Sequence, residues 1–160
     1  MIDLSINANQ PMHSSNGKYV MVYNGEVYNF QEIGARLKEQ SSNKSFKFNT
    51  SSDTEVILEA FSEYGTEFIH SLNGMFAMAI LDIESKEIHL FRDRIGIKPL
   101  FYYWNQNFFA FASEMKALLE IPGLDLSINN SAIHDFLHLG FIPAPHTIYK
   151  HIFKLTRGVI

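Results

Sequence analysis

The stretch YNGEVYN at residues 23–29 sets an amide, a glycine and a carboxylate side by side: Asn24, Gly25 and Glu26. Taken alone, Asn24-Gly25 reads as the turn of a β-hairpin, because both central positions of such a turn want positive φ. Glu26 has no place in that explanation. Residues 51–56, SSDTEV, hold a capping box, Ser52-x-x-Glu55, with Asp53 where the positive end of a helix macrodipole meets it. A carboxylate at that mouth could instead face a cationic group such as an α-ammonium. RDR at 92–94 reads as a charged turn between strands, with Arg92 and Asp93 paired. His134 and His138 stand at i, i+4, a metal-ligand spacing, but HDFLH lacks the glutamate of H-E-x-x-H and no third ligand accompanies it. No metal is expected. Neither G-x-x-x-x-G-K-[ST] nor G-x-G-x-x-G occurs, so no phosphate loop is expected either.

The elements that must position these groups follow from periodicity and punctuation. Residues 1–12 read as extended or looped, and 18–28 as a hairpin around Asn24-Gly25. Asn29 caps a helix to about Gln40, with Glu32 in the capping-box position and Phe30, Ile33 and Leu37 on one face. Residues 41–45 are a polar loop. A second helix follows Ser52, carries Val56, Ile57, Ala60, Phe61 and Tyr64 at helical spacing, and ends at Gly65. A short helix from Glu67 to Leu72 stops at Asn73-Gly74. Then the period changes. MFAMAILD, EIHLFRD, PLFYYW and FFAFAS predict four successive antiparallel strands. Ser113 caps a helix over 114–119, Pro122-Gly123 ends it, and 131–140 form another. The last twenty residues, with Pro143 and Pro145, read as a linker whose Ile148, Ile152, Phe153, Leu155 and Ile160 call for a surface to pack on.

Composition narrows the function classes. The 160 residues are 46% hydrophobic and 14% aromatic, which suits a packed core. A net charge of −4, from 13 basic and 17 acidic residues, argues against electrostatic binding of nucleic acid. No run of about 18 apolar residues is present, so no membrane span is expected. The first ten residues lack the basic and apolar regions of a signal peptide, which points to the cytoplasm. There is no cysteine. Disulfides, thiolate zinc sites and a cysteine nucleophile are therefore absent from these residues.

The motifs occur in one order: ANQPM at 8–12, YNGEVYNF at 23–30, FNTSSDTEVI at 48–57, LNGMFAMAILD at 72–82, FRDRIGIKPLFYY at 91–103, FASEMKALL at 111–119 and FIPAPHTIYKHIFKL at 141–155. That series resembles the glutaminase domain of glutamine-hydrolysing asparagine synthetases, class II glutamine amidotransferases. The resemblance implies an α+β fold, an N-terminal-nucleophile hydrolase type αββα sandwich of antiparallel sheets, here lacking its first strands. It divides the chain into a partial amidotransferase domain over 1–128 and a helix and linker over 129–160, leading toward a synthetase domain. It places Asn24 and Gly25 in the oxyanion hole, the first through its side-chain amide and the second through its backbone N–H. It makes Glu26 and Asp53 holders of L-glutamine, with Asp53 on the α-ammonium, and brings the Ile2 backbone to the substrate.

The implied reaction hydrolyses glutamine to glutamate and ammonia, and a synthetase domain passes the ammonia to an aspartyl-adenylate to make asparagine. No cofactor is implied for these residues; ATP and Mg²⁺ are implied for the synthetase domain, and a homodimer for the full-length protein. The family's nucleophile is a cysteine at the mature N-terminus, which attacks the amide with its own α-amino group as base. This sequence has none, so the chain alone is expected to be inactive. Two other readings stay open: an amidotransferase of surface-polysaccharide or β-lactam-type chemistry with the same glutaminase half, and a non-catalytic glutamine-binding or interaction domain.

Overall fold

The computed structural model describes residues 8–40 and 47–157. Ile2, the loop expected at 41–45 and Ile160 lie outside the described residues. A four-stranded antiparallel sheet has the order β1 (Met12–His13), β2 (Tyr19–Val27), β3 (Gly74–Asp82), β4 (Ile88–Arg92). The register of β2 on β3 runs unbroken from Tyr19 opposite Asp82 to Val27 opposite Gly74. Asn24 and Gly25 are therefore strand residues and not a hairpin turn, and neither has a positive φ. A ladder with a distant partner along the whole strand outweighs the local turn preference of the dipeptide. The hairpin forms instead at another Asn-Gly, Asn16-Gly17, between β1 and β2. Gly17 has φ 71°, its N–H donates to the Ser14 carbonyl at 2.9 Å, and the Ser14 N–H donates to the Tyr19 carbonyl at 2.9 Å.

Helices α1 (Phe30–Gln40) and α2 (Asp53–Tyr64), with a 3-10 helix at Thr66–Ser71, cover one face of this sheet. Ile33 and Leu37 of α1 are buried as their spacing predicts. The Asn29 side chain, expected to cap α1, instead reaches the segment before β3: its Nδ2 donates to the Ser71 carbonyl at 2.9 Å and its Oδ1 accepts from the Asn73 N–H at 2.9 Å. At α2, Ser52 Oγ accepts from the Thr54 N–H at 3.2 Å, and Gly65 closes the helix with φ 69°. Glu55 does not close the expected capping box on Ser52. It reaches further back, to the N–H groups of Asn49 and Thr50 at 2.8 and 2.7 Å. Glu59 takes the N–H and hydroxyl of Ser15 at 2.6 and 2.7 Å. Every residue of α2 from Asp53 to Phe61 is buried, and its carboxylates find donors there.

The core between sheet and helices holds Met21, Val27, Ile57, Leu58, Phe61, Met78, Ile80 and Phe91. Each such side chain contributes roughly 1.5–3 kcal/mol on burial. Residues 76–80 of β3 are buried on both faces, which is why MFAMAI reads as a continuous apolar run and not as an alternation.

The four strands expected after residue 74 all form and all pair antiparallel, but they divide between two sheets. The second sheet has the order β6-β5-β7, from β5 (Phe101–Trp104), β6 (Phe109–Ala112) and β7 (Ile152–Lys154). Residues 152–154, read from the sequence as linker, thus complete a sheet, and Ile152 is fully buried opposite Tyr103. Helix α3 (Met115–Leu119) packs on β5 and β6 through Leu118. Helix α4 (Asn130–Leu139) is capped by Asn129 and closed by Gly140 in the left-handed conformation. Of its residues only Ala132 is buried, and Ile133, Phe136, Leu137 and the following Phe141 are exposed.

Arg92 and Asp93 do not pair with each other. The Arg92 guanidinium donates to the carbonyls of Lys98 at 2.7 Å, Gly96 at 2.7 Å and Leu155 at 2.6 Å, tying β4 to the segment after β7. Asp93, 1% exposed, accepts from the N–H groups of Phe76, Ile95, Gly96, Ile97 and Lys98 at 2.6–3.3 Å. Backbone donors, and not a neighbouring cation, satisfy this carboxylate.

Candidate active site

Along β2 the backbone groups of alternate residues face alternate sides. The carbonyl of Tyr19 pairs toward β1, so the odd-numbered residues present their N–H and C=O to that side. β1 pairs only as far as Met21. Beyond it, the Gln10 side chain acts as a substitute strand, donating from Nε2 to the Tyr23 carbonyl at 2.8 Å and accepting the Tyr23 N–H on Oε1 at 2.5 Å. At the far end, Asp53 Oδ2 accepts the Val27 N–H at 3.2 Å. Gly25 lies between these two caps, and its N–H and C=O point out of the sheet edge.

Side chains alternate as well. Asn24 and Glu26 lie on the face toward the second sheet, and both are exposed. The Asn24 Nδ2 donates to Ser113 Oγ at 3.4 Å. Tyr23 lies on the helical face, where its hydroxyl donates to Asp53 Oδ2 at 2.8 Å. Gly25 is required by space: a Cβ there would sit 2.3 Å from the Met75 carbonyl oxygen and 2.6 Å from Phe76 Cα. Both are backbone atoms that cannot swing away, so strand β3 comes this close only because residue 25 has no side chain.

The four sequence-predicted residues within the described chain therefore gather at one end of β2, and Ile2 lies outside it. Asp53, 3% exposed, is carried there by the first turn of α2. Its Oδ2 is taken by Tyr23 and Val27, and its Oδ1 lies 3.5 Å from Ser52 Oγ. Burial and the Asp53 charge both hold the Tyr23 phenol well above its ordinary pKa, so it stays a donor. A cavity of about 190 Å³ opens between the sheets, lined by Gln10, Asn24, Ala77, Leu100, Phe111 and Ser113.

Gln10, Tyr23 and Ser113 were not legible as site residues. Ser113 reads as a helix cap, but α3 begins at Met115 with Glu114 in the cap position and no side-chain capping bond, and the Ser113 hydroxyl meets Asn24 instead. Its place at the end of β6 decides this. Gln10 offers no local signal at all, since its partner is the backbone of another element. His134 and His138 stack at 6.4 Å on α4, and no group of three or more His, Asp or Glu among the described residues is placed to hold a metal ion. No helix among the described residues is long and apolar enough to cross a membrane.

Chemically, the corner combines two donors, the Gly25 N–H and the Asn24 amide, with a buried carboxylate two residues further along. Paired donors of this kind stabilise the oxyanion of an acyl-transfer intermediate. Antiparallel sheets packed face to face, with helices outside, make this an α+β fold of the N-terminal-nucleophile hydrolase type.

Comparison with known proteins extends that class to a family. Residues 1–160 match the family described as "Glutamine amidotransferase domain". A putative glutamine-hydrolyzing asparagine synthetase 2 of Methanocaldococcus jannaschii is 39% identical over 138 residues, covering 85% of this chain and 25% of that protein. The glutamine-hydrolyzing asparagine synthetase 1 of Bacillus subtilis is 36% identical over 152 residues, covering 95% of this chain and 23% of that protein. Among solved structures, the glutamine phosphoribosylpyrophosphate amidotransferase from B. subtilis, complexed with ADP and GMP, is 26% identical with a TM-score of 0.56, covering 68% of this chain and 25% of its own. The allosteric regulatory enzyme of purine biosynthesis is 26% identical with a TM-score of 0.59, covering 70% and 25%. This chain belongs to the glutamine amidotransferase domain family. It spans about a quarter of the length of the curated relatives it matches.

Proposed function

We propose that these residues are the glutaminase part of a glutamine-dependent asparagine synthetase, and that the β2 corner binds L-glutamine. The carrying observation is the outward Gly25 backbone, framed by Gln10 at Tyr23 and by Asp53 at Val27. In this reading Asp53 receives the α-ammonium in a charge-assisted hydrogen bond. Glu26, next along β2, adds negative charge on the same end. The side-chain amide then lies over Gly25, and its carbonyl oxygen takes the Gly25 N–H and the Asn24 Nδ2 as it becomes an oxyanion. The Ser113 hydroxyl accepts one Nδ2 hydrogen and leaves the other for the substrate.

The nucleophile is not among these residues, which contain no cysteine. We assign it to a cysteine supplied from outside them, and the 160-residue chain by itself hydrolyses no glutamine. A synthetase domain, also outside them, would bind ATP and Mg²⁺ and consume the ammonia to form asparagine. The protein would work in the cytoplasm as a homodimer.

The test is the intact mass, N-terminal sequence and glutaminase activity of the protein as its native cell makes it, beside the isolated 160-residue chain. The expected result is a heavier native product with an N-terminal cysteine and ammonia release, and an isolated chain that releases none. Ammonia released from glutamine by the isolated chain would overturn the assignment of the nucleophile. A native product without cysteine, still binding glutamine, would favour a non-catalytic glutamine-binding domain.

A further inference from the structure

We propose that Tyr23 is a positioning residue for substrate recognition, holding the Asp53 carboxylate so that one oxygen is kept for the ammonium group of the ligand. The inference rests on the glutamine reading of the site and adds to it a residue to which the resemblance gives no role.

The geometry divides the two carboxylate oxygens. Oδ2 accepts both the Tyr23 hydroxyl at 2.8 Å and the Val27 N–H at 3.2 Å. Among the described residues Oδ1 has only the Ser52 hydroxyl at 3.5 Å, the limit of a hydrogen bond. Two donors on one oxygen fix the plane of the carboxylate and leave the other oxygen as the better acceptor. Tyr23 is 9% exposed, and β2 supplies both its ring and the Val27 N–H, so the clamp and the strand edge form one rigid unit. The phenol stays protonated because burial and the Asp53 charge oppose its ionisation. Without the hydroxyl, a single backbone N–H would hold the carboxylate, which could then rotate away from the ligand.

A ligand without an α-ammonium gains nothing from this clamp. The proposal therefore separates recognition from packing. Binding of L-glutamine and of glutaramic acid, which is glutamine without its amino group, is measured by calorimetry on the 160-residue chain, on Tyr23→Phe, on Asp53→Asn and on the double variant. Tyr23→Phe should weaken L-glutamine by about tenfold, the scale of a lost hydrogen bond to a charged group, and leave glutaramic acid unchanged. Tyr23→Phe added to Asp53→Asn should cost nothing more, since the hydroxyl acts through the carboxylate. Equal loss for both ligands, or no loss for either, overturns the proposal. A wild-type chain that binds L-glutamine no better than glutaramic acid overturns the glutamine reading itself, and this inference falls with it. If Tyr23→Phe does not fold, the ring-carbon resonance of labelled wild-type Tyr23 decides. It should move on titration with L-glutamine and not with glutaramic acid, and an unmoved resonance overturns the proposal.

Discussion

Asn24 and Gly25 do different work within one dipeptide. Gly25 serves through what it lacks, since any Cβ collides with Met75 and Phe76 backbone. Asn24 brings an amide, in the proposed reading an oxyanion donor, which a shorter side chain would remove without disturbing β2. Asn24→Ala in the active full-length protein should therefore lower kcat for glutamine hydrolysis by about 10²–10³ with little change in KM, the usual cost of one oxyanion donor. Steady-state ammonia release measures this. Asp93 supports a prediction of another kind. Burial alone would raise its carboxyl, but backbone N–H groups, chiefly those of Lys98 and Ile97, outweigh it and hold the carboxyl below the usual aspartate range. A depressed folded-state pKa gives stability that is complete above the unfolded value and is lost as pH falls through the folded one. Asp93→Asn should thus cost on the order of 1–3 kcal/mol at pH 7. The gap to wild type should close progressively below about pH 4. Urea unfolding at stepped pH measures both.

Elements differ in how far their own residues define them. Helix α2 was legible almost to the residue, because Ser52 caps it, Gly65 ends it and its apolar spacing lies between. Ser52→Ala should destabilise the protein by about 1 kcal/mol, the ordinary cost of a lost N-cap, and since the cap adjoins Asp53 it should also weaken glutamine binding. Thermal melting and calorimetry report the two effects. Strands were legible as strands and not as partners. The same dipeptide is a hairpin turn at Asn16-Gly17 and a ladder segment at Asn24-Gly25. The difference lies in β3, which the local residues do not encode. The short β7 was missed for the same reason: its three residues matter through Tyr103 and Phe101, far back in the chain. The resemblance supplied roles at Asn24, Gly25, Glu26 and Asp53, and the fold brings these four to one end of β2. Gln10 and Tyr23 lie within ANQPM and YNGEVYNF but act by contacts across elements, which neither motif reveals.

At the scale of the whole molecule the described residues form two cores, one between the first sheet and its helices and a smaller one around Tyr103, Leu118 and Ile152. Arg92 joins them, since its guanidinium is bonded both to the loop after β4 and to Leu155. The only tryptophan, Trp104, stands half-exposed at the end of β5 against Phe109 and reports the second sheet. In wild type, tryptophan fluorescence and far-ultraviolet circular dichroism should follow one denaturation curve, as two-state unfolding requires. In Arg92→Ala the fluorescence transition should come first, at lower denaturant, with the two curves no longer superposable.

Along the chain, helix α4 falls between the residues up to Leu124 and those from Tyr149 that build the smaller core, with ten residues and only Ala132 buried. So short a helix is marginal in water without packing, so its amides should exchange with solvent at a small fraction of the global opening free energy. That makes it the natural point for a protease to enter. A cut there leaves β7, and with it Ile152, held to β5 by non-covalent contacts alone. A local opening at α4 would thereby expose the smaller core to loss without any unfolding of the larger one.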